Sequence, residues 1–292
     1  MDYLKEHARA SFPGLAIICR FLADQPGGIH EATLKELLHP LETPADSGST
    51  FQACLAVGHD LGIIEDRERG WALHAAAQES VQRDRSPGAR LIGSLILRRI
   101  GERAVEAIEQ GERPSDLAVA LTWFVSRDPL QPLPYGWSDG PEEAFEEAWP
   151  DKQGPVKARE QWRPFRRWAQ ALGLGFQTPV KRRASVLTID PTRAVDAVLG
   201  ELPPRSKADD WFRGLHSLLP VLGARPLVNV LPADEVSEWA VRPSVALAIR
   251  KLERARKLEL IASDDSISAV SLQLGDSGYR IGEVRVMKGE HR

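Results

Sequence analysis

Three times along this chain a set of helix-length apolar patterns leads into short strand-like runs, and that order restricts the fold more than any single motif does. The first set opens with Leu15, Ile18, Cys19 and Leu22, spaced as one face of a helix and ended by Pro26-Gly27-Gly28. His30 to His39 predicts a second helix, with Ala32, Leu34, Leu37 and Leu38 apolar, stopped before Pro40. A third helix, entered through Ser49 or Thr50 as N-cap, carries Phe51, Leu55, Val57 and Leu61 and breaks at Gly62. Ile63 to Asp66, a turn at Glu68-Arg69-Gly70 and Trp71 to His74 then predict a hairpin. Three helices followed by a two-stranded ribbon is the order of a winged helix-turn-helix.

The middle of the chain repeats it. Helices are expected at Asp116 to Ser126 and Pro141 to Trp149, separated by a Pro/Gly-rich stretch from Pro129 to Gly140 that is longer than a simple turn. Glu160 to Leu172 then predicts a helix with Trp162, Phe165, Trp168, Ala169 and Leu172 on one face, ended by Gly173-Leu174-Gly175. Leu174 to Gln177 and Val186 to Ile189 would form the wing around a basic tip, Lys181-Arg182-Arg183. A third copy is expected from Ala208 to Leu219, Asp234 to Ala240 and Ser244 to Leu258, with a ribbon of Leu258 to Ala262 and Ile267 to Leu274 around Asp264-Asp265 and a further strand at Tyr279 to Val286. Between the first two units Ala89 to Gln110 predicts one long helix without a wing, a connector or packing platform.

The expected fold is therefore mainly α with short β-hairpin wings, in tandem winged helix-turn-helix units. Their bounds are an N-terminal unit over 1–86, a helical connector over 87–128, a middle unit over 129–200 and a C-terminal unit over 201–292. A length of 292 residues suits several small domains. No apolar run approaches the roughly 20 residues that cross a bilayer, and the opening Met1 to Glu6 lacks a basic segment followed by an apolar stretch. The expectation is a cytoplasmic protein. Cys19 and Cys54 both sit among apolar neighbours, where a thiol behaves as a small buried hydrophobe.

A net charge of −3 argues against nucleic acid until its distribution is considered. From Lys157 to Arg193 there are nine basic and two acidic residues, whereas Asp139 to Asp151 holds six carboxylates and no Lys or Arg. Such a basic face binds an anion, or it pairs with the acidic helix beside it.

Catalytic signatures are missing. There is no Gly-rich loop ending in Gly-Lys-Ser/Thr, no His-Glu-x-x-His and no paired Cys spacing, and the seven histidines are scattered singly. No catalytic residue, cofactor or metal site is expected; Asp264-Asp265 reads as a turn-former. The recognition helix and wing of the middle unit supply the candidate nucleic-acid contacts Arg163, Arg166, Arg167, Lys181, Arg182 and Arg183, with Arg193 as a weaker candidate on the helix that Asp190 would cap and Pro191 would start. Arg250, Lys251 and Arg254 on the last long helix complete the set. The third helix of the first unit offers Ser49, Thr50, Gln52 and His59 without one Lys or Arg, which suits a protein-docking module better than a phosphate binder. Trp162 and Trp168 could stack on unpaired bases, but their common face points to core packing.

The segments Phe165-Arg166-Arg167-Trp168-Ala169-Gln170-Ala171-Leu172-Gly173-Leu174-Gly175, Asp190-Pro191-Thr192-Arg193-Ala194, Leu219-Pro220-Val221-Leu222-Gly223 and Pro243 to Ile249 with Leu252-Glu253 resemble the DpdG family across about the last half of the chain. That family belongs to bacterial gene clusters that insert 7-deazaguanine derivatives into DNA and restrict DNA lacking them. The resemblance implies a non-enzymatic subunit of an antiviral defence assembly, with other polypeptides supplying any ATPase, helicase or nuclease. Duplex DNA and the other subunits are then the expected partners, and no membrane. Two alternatives stand beside this: a purely protein-binding scaffold, and a ligand-sensing transcription regulator that dimerises through Ala89 to Gln110.

Overall fold

A computed structural model describes residues 1–38, 49–84, 88–151, 153–181, 184–232, 240–263, 269–274 and 277–287. Local caps set several helix starts. The Ser11 hydroxyl oxygen accepts the Gly14 amide at 3.3 Å where α1 (Phe12–Ala23) begins with Pro13 in its first turn. Helices α2 (Glu31–Leu38) and α3 (Ser49–Asp60) follow, then strands β1 (Ile64–Arg67) and β2 (Gly70–Leu73). These strands pair antiparallel with Ile64 opposite Leu73, and Ile29, just before α2, bridges the free edge of β2 at Trp71. Gly70 makes that bridge feasible: it sits at φ +101, and a Cβ there would lie 2.4 Å from the Ile29 carbonyl oxygen.

Beyond α4 (Ala75–Arg83), helix α5 (Arg90–Glu109) buries Ile92, Ile96, Leu97, Ile100 and Ala104. In α6 (Asp116–Ser126) nine of the eleven residues are buried, and Ser115 caps it by accepting the Ala118 amide. The chain continues through β3 (Leu133–Pro134), a 3-10 turn (Trp137–Asp139), α7 (Pro141–Ala148), α8 (Arg159–Ala171), β4 (Gly175–Thr178) and β5 (Val186–Ile189), whose strands are ordered β3-β5-β4. Strand order thus repeats that of the N-terminal ribbon: the segment before the second helix pairs with the last strand, which pairs with the first.

Next come α9 (Thr192–Val198), a 3-10 turn (Leu199–Glu201), β6 (Arg205–Lys207), α10 (Ala208–Leu218), a 3-10 turn (Pro220–Leu222), α11 (Arg225–Asn229), β7 (Ala240–Val241), α12 (Pro243–Arg254), β8 (Leu258–Ala262), β9 (Val270–Leu274) and β10 (Ser277–Val286). The long β10 organises this sheet. Its first half pairs with β9 and its second half with β8 on one edge and β6 on the other, while β7 lies parallel to β9.

The architecture is mainly α with short β-hairpins. One apolar cluster runs from Tyr3 to Val284, and α5 packs at its centre against α4, α6, α9, α11 and the Pro220–Leu222 turn. Two expected features are displaced. The last long helix ends at Arg254 rather than Leu258, because Arg256 adopts φ +56 and Lys257 donates back to the Leu252 carbonyl at 2.9 Å, freeing Leu258 to pair with Val286. The first residue of α9 is Thr192, and Asp190 serves it by accepting the Thr192 amide at 3.0 Å. Helix α4, strand β6 and helix α11 had no counterpart in the sequence reading. Residues 234–239 of one expected helix, and Asp264-Asp265, lie outside the described residues. Both cysteines are buried with free thiols, and burial pushes the Cys19 thiol up to about 12.

Candidate nucleic-acid interface

Helix α8 is held by its apolar face. Trp162, Phe165, Trp168 and Ala169 are buried, with Trp162 stacked on Phe165 at 5.1 Å and Phe165 edge-on to Phe124 of α6 at 5.5 Å. Each buried aromatic contributes roughly 1.5–3 kcal/mol, which fixes the rotation of the helix about its axis. Both tryptophans are therefore core, and Trp162 Nε1 donates to the Tyr135 carbonyl at 3.0 Å.

With that face inward, Arg159, Arg163 and Arg167 stand exposed at i, i+4 and i+8. They form one stripe about 12 Å long at 1.5 Å per residue. Among the described residues Arg159 and Arg163 have no hydrogen-bond or ion-pair partner. Arg159 was absent from the sequence-based candidates, although its spacing of four from Arg163 was the available signal. Arg167 stays exposed but donates to the Ala8 carbonyl at 2.7 Å, fastening the end of α8 to the N-terminal segment.

Arg166 belongs to the interior side. It donates to the Tyr135 carbonyl at 2.6 Å, and its guanidinium lies 3.7 Å from the Tyr135 ring centroid. Burial first, and then the Arg163 and Arg159 charges, lower its pKa from the usual value, while Tyr135 opposes them.

At the ribbon, Gln170 Oε1 accepts the Gln177 amide at 3.1 Å, tying β4 to α8. Lys181, between β4 and β5, is exposed without a partner among the described residues, and Arg182 and Arg183 lie outside them. Arg193 is exposed on the first turn of α9, where its Cβ packs beside Gly173 at the end of α8.

The candidates on α12 divide similarly. Lys251 is ion-paired to Asp190 at 2.7 Å, and Arg250 pairs with Glu253 while lying 5.0 Å from the Tyr279 ring. Arg254 is exposed and has no ion-pair partner among the described residues. On α3, Gln52 donates to Glu31 at 2.6 Å and Ser49 accepts from Arg9, so much of its polar face serves the fold.

Glu142, Glu143, Glu146 and Glu147 on α7 are exposed, Glu147 beside Arg127, and among the described residues no salt bridge joins the acidic helix to the basic one. Among the described residues no group of three His, Cys, Asp or Glu could hold a metal ion, and no helix is long and apolar enough to cross a membrane.

No curated protein and no solved structure matches the chain. A family model described as DpdG-like does, and its match covers the first half as well as the motifs of the second. With residues 1–266 of 292 matched, the chain belongs to the DpdG-like family.

Proposed function

We propose that this chain is a non-enzymatic tandem winged-helix subunit of a bacterial DNA modification-restriction system built on 7-deazaguanine derivatives, acting in antiviral defence. The middle unit grips duplex phosphates and the flanking units hold partner subunits. The observation that carries this reading is the open arginine stripe, Arg159, Arg163 and Arg167, on the third helix of a unit whose strands run β3-β5-β4. Family membership and the matching strand order at Ile29, β2 and β1 support it. A stripe of about 12 Å suits a major groove about 12 Å wide, and Lys181 at the wing reaches toward the adjacent backbone.

Because the whole chain carries −3, long-range attraction to DNA is weak and affinity rests on local contacts. Four phosphate contacts correspond to a log–log salt slope of about −3.6, or about a hundredfold loss between roughly 50 and 200 mM salt. Fluorescence anisotropy of a labelled duplex over that range tests this, with an Arg159→Glu/Arg163→Glu variant alongside. The variant is expected to bind at least about tenfold more weakly, with a slope shallower by about 2. No binding by the wild type at low salt, or an unchanged slope in the variant, would sink the DNA reading.

One separate observation favours a purely protein-docking role, namely three exposed carboxylates of α7, Glu142, Glu143 and Glu146, which have no ion-pair partner among the described residues. That role predicts co-purification with a basic partner and no salt-sensitive affinity for DNA.

A further inference from the structure

An aromatic cluster fills the middle unit. Trp123 lies 4.1 Å from Phe145, Phe145 stacks on Trp149 at 5.8 Å, and Trp137 lies 6.0 Å from Phe145 and 6.1 Å from Trp162. Two of the chain's own guanidinium groups already cover parts of this cluster. Arg127 sits 4.8 Å from the Trp123 ring, and Arg166 lies between Tyr135 at 3.7 Å and Trp162 at 6.0 Å. All three distances are those at which a ring quadrupole attracts a cation.

A third opening, between Trp137, Phe145 and Trp149, has no such cover. It is a cavity of about 250 Å³ that also meets Glu142, Glu146 and Lys157. Among the described residues neither carboxylate has a hydrogen-bond or ion-pair partner, and the Lys157 ammonium pairs with neither. The volume is below the roughly 300–1,000 Å³ that takes a drug-sized ligand, and suits a single side chain.

The geometry points to a docking site for an arginine side chain from a basic segment of a partner protein, its guanidinium against the Trp137, Phe145 and Trp149 rings and its charge met by Glu142 and Glu146. Aromatic walls supply a cation-π surface on one side, while two carboxylates on one turn of α7 supply the opposite charge on the other. Arginine fits better than lysine because its planar cation stacks on a ring and hydrogen-bonds in the same plane. An anionic strand is the wrong occupant, since Glu142 and Glu146 repel phosphate.

Tryptophan fluorescence of the full chain, titrated with a hexa-arginine peptide, reads the site directly because Trp137 and Trp149 line it. Glu142→Gln/Glu146→Gln should weaken the peptide about tenfold, whereas Glu143→Gln/Glu147→Gln, which removes equal charge from the same helix outside the cavity, should weaken it less than about threefold. All four carboxylates are exposed, so both variants are expected to fold, as circular dichroism would verify. Equal losses in the two variants would reduce the effect to general attraction and overturn the site. So would an absence of any fluorescence change with the wild type, or a loss of duplex affinity in the Glu142→Gln/Glu146→Gln variant. Duplex binding is read independently, so this proposal and the DNA reading fail separately.

Discussion

Both oxygens of the buried Asp116 carboxylate accept the Leu4 amide at 3.0 Å, across 112 positions of sequence. The same carboxylate accepts the Lys5 amide at 3.2 Å and the Leu117 amide at 2.7 Å. The N-terminal segment is thereby held on α6, and through Ala8 it also meets Arg167 of the arginine stripe. Asp116→Ala leaves these amides without their acceptor and should cost about 2–4 kcal/mol in urea unfolding. A loss under about 1 kcal/mol would mean that the segment is held by other contacts.

Stability against acid should report two opposed groups. Burial, helped by Asp2 and resisted by the amide donors, raises Asp116 from 3.8 to about 6. Its contribution is therefore full below pH 3.8 and lost as pH rises through 6. Burial, followed by the Arg242 charge, lowers His216 from 6.5 to about 4. That contribution is full above pH 6.5 and lost as pH falls through 4, at most about 3 kcal/mol in total. The two nearly cancel, so the pair gives the wild type little slope between pH 4 and 6. Asp116→Asn should unmask a fall in unfolding free energy toward pH 4, and His216→Asn a rise. Parallel pH profiles for all three proteins would refute this.

Neighbouring arginines on α8 should separate binding from stability. Arg163→Ala should weaken duplex binding and leave the unfolding midpoint unchanged, since the side chain is exposed and unpaired. Arg166→Ala removes a hydrogen bond to the Tyr135 carbonyl and a stacked guanidinium, and should destabilise the fold by about 1–2 kcal/mol. The reverse pattern, a destabilised Arg163→Ala and an unperturbed Arg166→Ala, would show that the helix is rotated from the orientation described.

The N-terminal ribbon depends on one glycine. Gly70→Ala combines a φ of +101 with a Cβ 2.4 Å from the Ile29 oxygen, so the expected loss is about 2 kcal/mol or more in thermal or urea unfolding. A change within about 0.5 kcal/mol would mean that the Ile29–Trp71 bridge opens readily.

What was legible in the sequence was local. Helix α6 occupies the expected span because Ser115 caps one end and the buried run stops at Ser126. Helix α8 likewise ends beside Gly173 at φ +77, with Leu174 donating to the Ala169 carbonyl at 2.9 Å. These signals lie within a turn or two of the residues they control. Arg205-Ser206-Lys207 carries no strand pattern and becomes β6 only because β10, some 78 positions later, offers its free edge. Charge was similarly readable as a total but not as a disposition. Arg163 and Arg166 are identical in sequence terms, and the packing of Trp162, Phe165 and Trp168 turns one to solvent and the other onto Tyr135. Lys251 and Arg254 are separated in the same way, since only one of them meets Asp190. Composition and periodicity determined which segments become helices and ribbons, because those choices depend on neighbouring residues. The tertiary structure decided which cations remain open, because that depends on what the fold brings to each face.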